Sequence, residues 1–150
     1  MIKEVYIKNQ DKFGWGSCSL LDMERVVFLR KFLLGNRVID IGCAGGQYVD
    51  YFERDGFYIV GVDFVKEFLF SANNQKREGY FICAQAENLP FKDKSFDTAL
   101  AMNLLEHVSN DRDVFKEIIR ITKKRIIIIV PLTEPDDFKG YGVLFEHRRD

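Results

Sequence analysis

Residues 38–46 read Val-Ile-Asp-Ile-Gly-Cys-Ala-Gly-Gly, an apolar run with an acid near its end, followed by a glycine-dense turn. The run predicts a buried strand, and the turn is typical of a strand that leads into a helix. Such a turn places unpaired backbone N–H groups and a helix N-terminus around one small space, where a nucleotide-like ligand can approach the main chain. The carboxylate of Asp40 would repel a pyrophosphate and suit a cation. We therefore expect a ligand that carries a positive group beside an adenosine.

The glycine spacing distinguishes between two kinds of nucleotide site. A dinucleotide-binding fingerprint that begins at Gly42 requires glycines at positions 44 and 47, where this chain has Ala44 and Gln47. The motif at residues 40–46 instead resembles the first motif of class I S-adenosylmethionine-dependent methyltransferases. In that family the turn packs against the methionine part of the cofactor and the acid lies near its amino group; an ordinary turn is the structural alternative. The resemblance assigns these residues to the cofactor: Asp40, Gly42, Cys43, Ala44, Gly45 and Gly46.

A second apolar run covers residues 57–62 and is followed by Asp63. As the next parallel strand it should lie beside the glycine turn, where the two oxygens of Asp63 can accept hydrogen bonds from both ribose hydroxyls. Phe64 stands where the family usually has an apolar residue and is expected against the adenine face. The structural alternative for Asp63 is the N-cap of a helix over residues 65–76, which is compatible with the ligand role.

Residues 79–83 are a third strand candidate, and the segment that follows resembles the family's stretch along the adenine edge. Gln85 stands where relatives commonly have Asp, and its amide oxygen can accept the same hydrogen bond. A polar loop residue is the alternative for Gln85. With that alternative open, we expect Gln85, Ala86 and Glu87 to meet the adenine.

The fourth strand candidate, residues 95–102, runs into Asn-Leu-Leu-Glu-His-Val at residues 103–108. Both ends of this stretch resemble small-molecule methyltransferases, including those that act on quinone precursors, sugars and lipids. By that resemblance Asn103 faces the methyl donor. Some quinone-pathway relatives have an acid there that joins the Glu-His pair on a metal ion. Because Asn103 replaces that acid, we predict no metal.

His107 is the candidate catalytic residue. An imidazole exchanges protons near neutral pH, so it could take a proton from an acceptor hydroxyl. The structural alternative is that Glu106 and His107 hold loop backbone and form the wall of the site. Positioning of the reactants can supply much of the rate of a methyl transfer, so the reaction does not require a base.

Composition restricts the protein class. The chain has 150 residues, of which 47% are apolar and 30% charged, and its formal net charge is −1. These values predict one globular domain with a real core and argue against a nucleic-acid surface. The basic residues 123–125 are interpreted as a helix C-terminus. The longest apolar run is too short to cross a bilayer, and an odd number of cysteines fits a reducing compartment, so a cytoplasmic protein is expected.

The alternation of strand and helix signals predicts an α/β fold, a Rossmann-like doubly wound and mostly parallel sheet with helices on both faces and about five strands. The helices are expected at residues 20–34, with Ser19 and Asp22 as a capping box, and at 46–54, 65–76 and 111–124. A buried fifth strand is expected at 125–130.

The resemblance implies a sheet of seven strands in the order 3-2-1-4-5-7-6, yet only 20 residues follow Val130. We therefore expect a single methyltransferase domain that is truncated at its C-terminus. The exposed edge of the fifth strand should be covered by a second copy, by a partner, or by a short strand at residues 141–145. The expected function is methyl transfer from S-adenosylmethionine to a small molecule. The alternative is a noncatalytic cofactor-binding subunit that docks on a partner.

Overall fold

The computed structural model describes residues 21–130. Within them, parallel strands alternate with helices along the chain. The elements are α1 (Met23–Phe32), β1 (Arg37–Ile41), α2 (Gln47–Arg54), β2 (Tyr58–Asp63), α3 (Lys66–Asn74), β3 (Tyr80–Cys83), β4 (Phe96–Met102), a 3-10 helix (Leu105–His107), α4 (Asp111–Ile121) and β5 (Thr122–Ile129). None of the helices in this part of the chain has the length and apolar character that a membrane crossing requires.

The five strands form one sheet in the order β3-β2-β1-β4-β5, and every neighbouring pair is parallel. The predicted Rossmann-like fold is therefore confirmed, together with the first five positions of the predicted strand order. The direction of winding reverses at β1, which lies between β2 and β4. In sheets of this kind a crevice opens at the carboxyl ends of the strands beside that reversal.

Side chains that alternate along the strands enter two separate cores, because successive residues of a strand point to opposite faces. One core lies under α1 and α2 and contains Val26, Leu29, Val38, Val49, Phe52, Leu100 and Ile127. The other lies under α4 and contains Ile39, Ile41, Val60, Ala99, Val114, Ile118 and Ile126. Asp40 has the same parity along β1 as Val38, so it lies on the face that α1 and α2 cover.

Helix α1 begins later than the sequence predicts. Asp22 is its N-cap, and the side chain accepts a hydrogen bond from Arg25 N at 3.1 Å. Ser19, the other half of the predicted capping box, lies outside the described residues. The helix ends at Phe32 because Leu33 is extended, and Leu34 N then donates to Thr98 Oγ1 at 3.0 Å. The long-range contact with β4 therefore replaces the last turn of the predicted helix.

The boundary between α4 and β5 was predicted wrongly. The helix ends at Ile121 and the strand begins at Thr122, so the basic residues 123–125 belong to β5 and not to a helix C-terminus. Thr122 is extended and pairs with Phe96 of β4. Lys124 Nζ forms an ion pair with Asp97 Oδ1 at 3.1 Å. Pairing with β4 therefore extends the strand into a stretch whose local sequence also allows a helix.

Strand β5 is an edge strand among residues 21–130. Its four isoleucines are nevertheless buried, with 0 to 6% of their surface exposed. The prediction of a buried fifth strand is therefore confirmed for these side chains, because both cores take them up. The predicted return strand at 141–145 lies outside the described residues.

Candidate functional site

A cleft of about 1050 Å³ opens at the carboxyl ends of β1, β2 and β4. Eleven of the thirteen residues predicted for the site line it: Asp40, Gly42, Cys43, Ala44, Asp63, Phe64, Gln85, Ala86, Glu87, Asn103 and His107. The fold thus brings together residues that are far apart in the sequence. Gly45 and Gly46 do not line the cleft.

Backbone N–H groups of the glycine turn donate hydrogen bonds to two residues of β2. Gly42 N and Cys43 N both donate to Val62 O, at 2.8 and 3.0 Å. Ala44 N donates to Asp63 Oδ2 at 2.9 Å. The sequence led us to expect unpaired N–H groups around the ligand space, and for these three residues that expectation is wrong. The N–H groups of these three residues are therefore already engaged within the protein.

Gly46, the last residue of the glycine turn, packs closely against Phe81. It is buried, it is the N-cap of α2, and its φ of 74° lies in the left-handed region that suits glycine. A Cβ at this position would lie 2.2 Å from Cε1 of Phe81. Gly45 is also buried. The assignment of Gly45 and Gly46 to the cofactor stays a prediction, while the geometry gives Gly46 a packing role.

Asp63 connects the turn to the start of α3. Its Oδ2 accepts from Ala44 N and its Oδ1 from Val65 N, both at 2.9 Å. The residue is 8% exposed, and burial raises its pKa while these hydrogen bonds oppose the rise. A carboxylate has about four acceptor sites, so each oxygen can accept a further hydrogen bond from a ligand. The predicted role of Asp63 as a helix N-cap is wrong, because the N-cap of α3 is Val65. The structural role that Asp63 does have, as acceptor for Ala44 N and Val65 N, is compatible with the predicted ligand role.

Asp40 is the most deeply buried acid of the cleft, with 2% of its surface exposed. Its Oδ1 has no hydrogen-bond partner among the described residues. Burial and the charge of Asp63 raise its pKa to about 7, against the opposing effect of Arg25. A buried carboxyl without a partner is costly, which indicates a place for a cationic group.

Two further side-chain oxygens in the cleft are buried without a hydrogen-bond partner among residues 21–130. Gln47 Oε1 and Asn103 Oδ1 are buried without a partner in the described part of the chain, and both residues line the cleft. Asn103 also has a φ of 53°, a left-handed conformation that asparagine tolerates better than most residues. We call Asp40, Gln47, Asp63 and Asn103 the inner end of the cleft. Its unpartnered oxygens are hydrogen-bond acceptors, the kind of partner that the N–H donors of an ammonium group require.

The predicted adenine-side residues lie along one wall. Phe64 is 39% exposed, so its ring remains accessible to a planar ligand. Gln85 is exposed, whereas Ala86 and Glu87 are half-buried. The carbonyl of Gln85 accepts from Asn88 N at 3.1 Å, which holds the segment in a turn. The side chain of Gln85 is exposed and lines the cleft, so it is accessible to a ligand.

The other end of the cleft is open. We call Glu106, His107, Ser109 and Asn110 the outer end; all four line the cleft and are partly or fully exposed. His107 lies on the 3-10 helix, with its Nε2 3.9 Å from Glu106 Oε1. That distance is too long for a hydrogen bond and permits an electrostatic attraction when the imidazole is protonated. Within residues 21–130, no three metal-ligating side chains cluster.

Sequence reasoning missed several residues of the lining. Gln47 could have been found, since it is the first residue of the helix that follows the glycine turn. Arg25 and Tyr48 come from α1 and α2, and the guanidinium carbon of Arg25 lies 5.9 Å from the centre of the Tyr48 ring. No motif marks Arg25, because its place depends on how α1 packs on the sheet.

Comparisons with known proteins agree with this geometry. Residues 39–130 match the family described as a methyltransferase domain. An uncharacterized protein of Methanocaldococcus jannaschii is 29% identical over 135 residues, 90% of this chain and 62% of that protein. The demethylmenaquinone methyltransferase of Thermotoga maritima is 28% identical over 125 residues, 81% of this chain and 55% of that enzyme.

A solved structure gives the same result. An S-adenosylmethionine-dependent methyltransferase of Thermotoga maritima, described as a possible histamine N-methyltransferase, superposes with a TM-score of 0.65 at 26% identity. The alignment covers 86% of this chain and 59% of that protein. The chain therefore spans less than two thirds of the length of each of these three relatives.

Proposed function

Because this chain belongs to the methyltransferase domain family, we propose that it binds S-adenosylmethionine in the cleft and transfers the methyl group to a small molecule. The observation that carries the proposal is the inner end, where Asp40, Gln47 and Asn103 present buried oxygens without partners among the described residues. These acceptors suit the ammonium group of an amino acid, which a nicotinamide dinucleotide does not have.

The other lining residues fit the remaining parts of the cofactor. Asp63 can accept hydrogen bonds from ribose hydroxyls in addition to the two backbone donors that it already has. The accessible ring of Phe64 offers a face for adenine, and Gln85 offers an amide at its edge. The residues present thus match an adenosine joined to an amino acid.

In this proposal the cofactor and the protein contribute different parts of the methyl transfer. When bound, the cofactor supplies a methyl group on a positively charged sulfur, which is reactive without further activation. The protein holds the acceptor in line and excludes water from the inner end. His107 is proposed to take a proton from the acceptor. The carboxylate of Glu106, 3.9 Å from Nε2, would stabilise the resulting imidazolium.

The acceptor is proposed to be a small and largely apolar molecule. Met102, Leu104 and Val108 also line the cleft, and such side chains favour an apolar ring or chain. The similarity to a demethylmenaquinone methyltransferase supports a quinol-like acceptor.

Calorimetry tests the cofactor class. The chain should bind S-adenosylhomocysteine with a Kd in the micromolar range, about −8 kcal/mol, and should show no binding of NAD. Binding of NAD without binding of S-adenosylhomocysteine would overturn the proposal. Transfer of a labelled methyl group to a demethylated quinol, compared with a water-soluble amine, then tests the acceptor class.

The edge position of β5 supports a second candidate function, a noncatalytic subunit that binds the cofactor and docks on a partner. Among the described residues β5 pairs with β4 and with no other strand, and an open sheet edge can accept a strand of another chain. Sedimentation at several concentrations tests association. Methyl transfer by the isolated chain would exclude this second candidate.

A further inference from the structure

The connection between β3 and β4, residues 84–95, contains no helix or strand, yet its first residues form part of the cleft. Residues 85–87 line the side of the cleft that is proposed for adenine, and we call them the adenine wall. A segment without secondary structure keeps its position only if both of its ends are held. At one end Ala84 N donates to Asp63 O at 3.1 Å, beside β2. The other end is Leu89, which is held by α4.

Leu89 contacts α4 through its backbone as well as its side chain. Its N–H donates to Glu117 Oε2 at 2.8 Å, and its carbonyl oxygen accepts from Arg120 Nη2 at 3.0 Å. The side chain is 3% exposed and belongs to the core under α4. Arg120 Nη1 also donates to Phe91 O at 2.7 Å. Two side chains of one helix thus hold three backbone groups that follow the adenine wall.

Glu117 and Arg120 also hold each other. Arg120 Nε donates to Glu117 Oε1 at 2.7 Å and Nη2 donates to Oε2 at 2.8 Å, a paired geometry that fixes both side chains. Nη1 donates to Asp93 Oδ1 at 2.9 Å as well, so every N–H group of the guanidinium has a partner. The hydrogen bond from Arg120 lowers the pKa of Glu117, which is therefore ionised at neutral pH. We call Glu117 and Arg120 the α4 clamp.

We propose that the α4 clamp positions the adenine wall and thereby sets the selectivity of the cleft for adenine, an inference that rests on the proposed function. In the described part of the chain the lining of the cleft includes neither clamp residue, so both act through the backbone of Leu89. Hydrogen bonds weaken steeply when distance or angle departs from the optimum. A wall that can shift therefore loses its hydrogen bonds to the base, while the inner end still binds the amino-acid part of the cofactor.

The competing explanation is that the α4 clamp only stabilises the fold. The side chain of Arg120 is 31% exposed and that of Asp93 is 75% exposed, and an ion pair as accessible as this one contributes little. The backbone groups of Leu89 and Phe91 lose their partners in either case, so both explanations predict a less stable protein when Arg120 is replaced. Stability cannot distinguish the two explanations, whereas selectivity between two purines can.

The test compares two cofactor analogues that differ only at one edge of the base. S-adenosylhomocysteine has a donor amino group beside an acceptor ring nitrogen, whereas S-inosylhomocysteine has an acceptor oxygen beside a donor N–H. A wall in a fixed position distinguishes the two patterns, because the wrong pattern leaves polar groups unpaired. Calorimetry uses the full 150-residue chain. The Kd of S-adenosylhomocysteine should be lower than that of S-inosylhomocysteine by about 10-fold or more.

Arg120→Met removes the donors to Leu89 O and Phe91 O. We expect it to reduce the preference for the adenine analogue by about 10-fold, almost wholly through a higher Kd of S-adenosylhomocysteine. Arg120→Lys keeps the charge and loses the planar fork of donors, so it should reduce the preference by about 3-fold. This milder variant decides the question if Arg120→Met does not fold.

Arg37→Met is the matched control. Arg37 Nε donates to Ser95 O at 3.1 Å, so this arginine also holds a carbonyl of the connection between β3 and β4. Its guanidinium carbon lies 4.4 Å from the centre of the Tyr58 ring. Arg37 is the first residue of β1 and therefore lies at the opposite end of the strand from the cleft. Urea titrations should show a lower stability for this variant, with the preference between the two analogues unchanged.

An unchanged preference in both Arg120 variants would overturn the positioning role and leave the α4 clamp with a structural role alone. A preference reduced to the same degree in Arg37→Met would overturn it too, because any loss of stability would then have this effect. If the unaltered chain binds the two analogues equally, the positioning role is wrong while the proposed cofactor site stands. If it binds neither analogue, the proposed function itself fails, and the positioning role fails with it.

Discussion

The inner and outer ends of the cleft are built differently. At the inner end, Asp40 and Asp63 are buried near the ends of strands. Asp63 accepts hydrogen bonds from two backbone N–H groups, whereas Asp40 Oδ1 has no partner among the described residues. At the outer end, more exposed side chains stand on a 3-10 helix and the loop that follows it. Electrostatic interactions are stronger where water is excluded. Changes at the inner end should therefore alter stability and cofactor affinity together, whereas changes at the outer end should alter turnover alone.

The largest effect is expected behind the inner end. Gly46→Ala places a Cβ against the Phe81 ring, at 2.2 Å in the present geometry, on a residue with φ of 74°. The left-handed backbone costs ~1 to 2 kcal/mol and the overpacking ~1 to 3 kcal/mol. We expect the free energy of unfolding to fall by ~2 to 5 kcal/mol in urea titrations.

Gly56→Ala is the control for that variant. Gly56 has a φ of 96°, and no neighbouring atom lies within 4 Å of the position that a Cβ would take. It should show the backbone cost alone, ~1 to 2 kcal/mol. Equal losses in the two variants would mean that the Phe81 ring moves aside freely, and the inner end would then be less rigid than its packing indicates.

The next effect concerns Asp63. Asp63→Ala removes the acceptor of Ala44 N and of Val65 N, so we expect a loss of ~1 to 3 kcal/mol in stability. The loss of hydrogen bonds to the ribose should also weaken cofactor binding by ~1.5 to 3 kcal/mol. Denaturation and calorimetry measure the two effects separately.

Asp97→Ala is the control for Asp63→Ala, because Asp97 has a similar structural role and does not line the cleft. Asp97 Oδ2 also accepts two backbone N–H groups, those of Asn36 and Arg37, both at 3.1 Å. Its loss should destabilise the fold to a similar degree without changing the Kd of the cofactor. An unchanged Kd in Asp63→Ala as well would leave Asp63 with a structural role alone.

These contrasts show why much of the fold could be predicted from the sequence. The strands are short apolar runs bounded by turn residues, and their order follows from the regular alternation with helices. The boundary at Ile121 was missed because Thr122 is extended through pairing with Phe96, which is distant in the chain. Local sequence cannot report a boundary that a long-range pair determines.

The residues of the site also fall into two groups, those that could be predicted from the sequence and those that could not. Asp40 and Asp63 could be predicted because a strand end fixes where each side chain lies. Arg25 and Tyr48 could not, since they reach the cleft through the packing of α1 and α2 on the sheet. The sequence also could not show that the N–H groups at the start of the glycine turn donate to Val62 O. Contacts between elements determined each of these.

A third prediction uses pH to probe the inner end. The pKa of Asp40 is raised to about 7, so below that pH the carboxyl is protonated in the ligand-free protein. It must lose that proton before it binds an ammonium group. The Kd of the cofactor should therefore increase by up to about tenfold for each pH unit below 7 and level off above it. Calorimetry at about pH 6, 7 and 8 would show this trend.

Asp40→Asn separates this effect from other titrations. The folded pKa lies above the usual value of 3.8, so folding takes up a proton and stability decreases as the pH rises from about 4 to about 7. The variant should lose that dependence and be more stable than the unaltered chain at neutral pH. It should also bind the cofactor about tenfold more weakly. Retained pH dependence would place the titrating group elsewhere.

The smallest effect on stability and affinity is expected at the outer end. His107 is 40% exposed at its side chain and lies 3.9 Å from Glu106 Oε1, so His107→Gln should change stability and cofactor Kd by less than ~0.5 kcal/mol. If His107 takes the acceptor's proton, kcat should fall by about 100-fold or more. Lys116→Gln, on the exposed surface of α4 and outside the lining of the cleft, should leave kcat unchanged. If His107→Gln instead weakened cofactor binding as much as it lowered kcat, the outer end would also take part in cofactor binding. The proposed difference between the two ends would then be wrong.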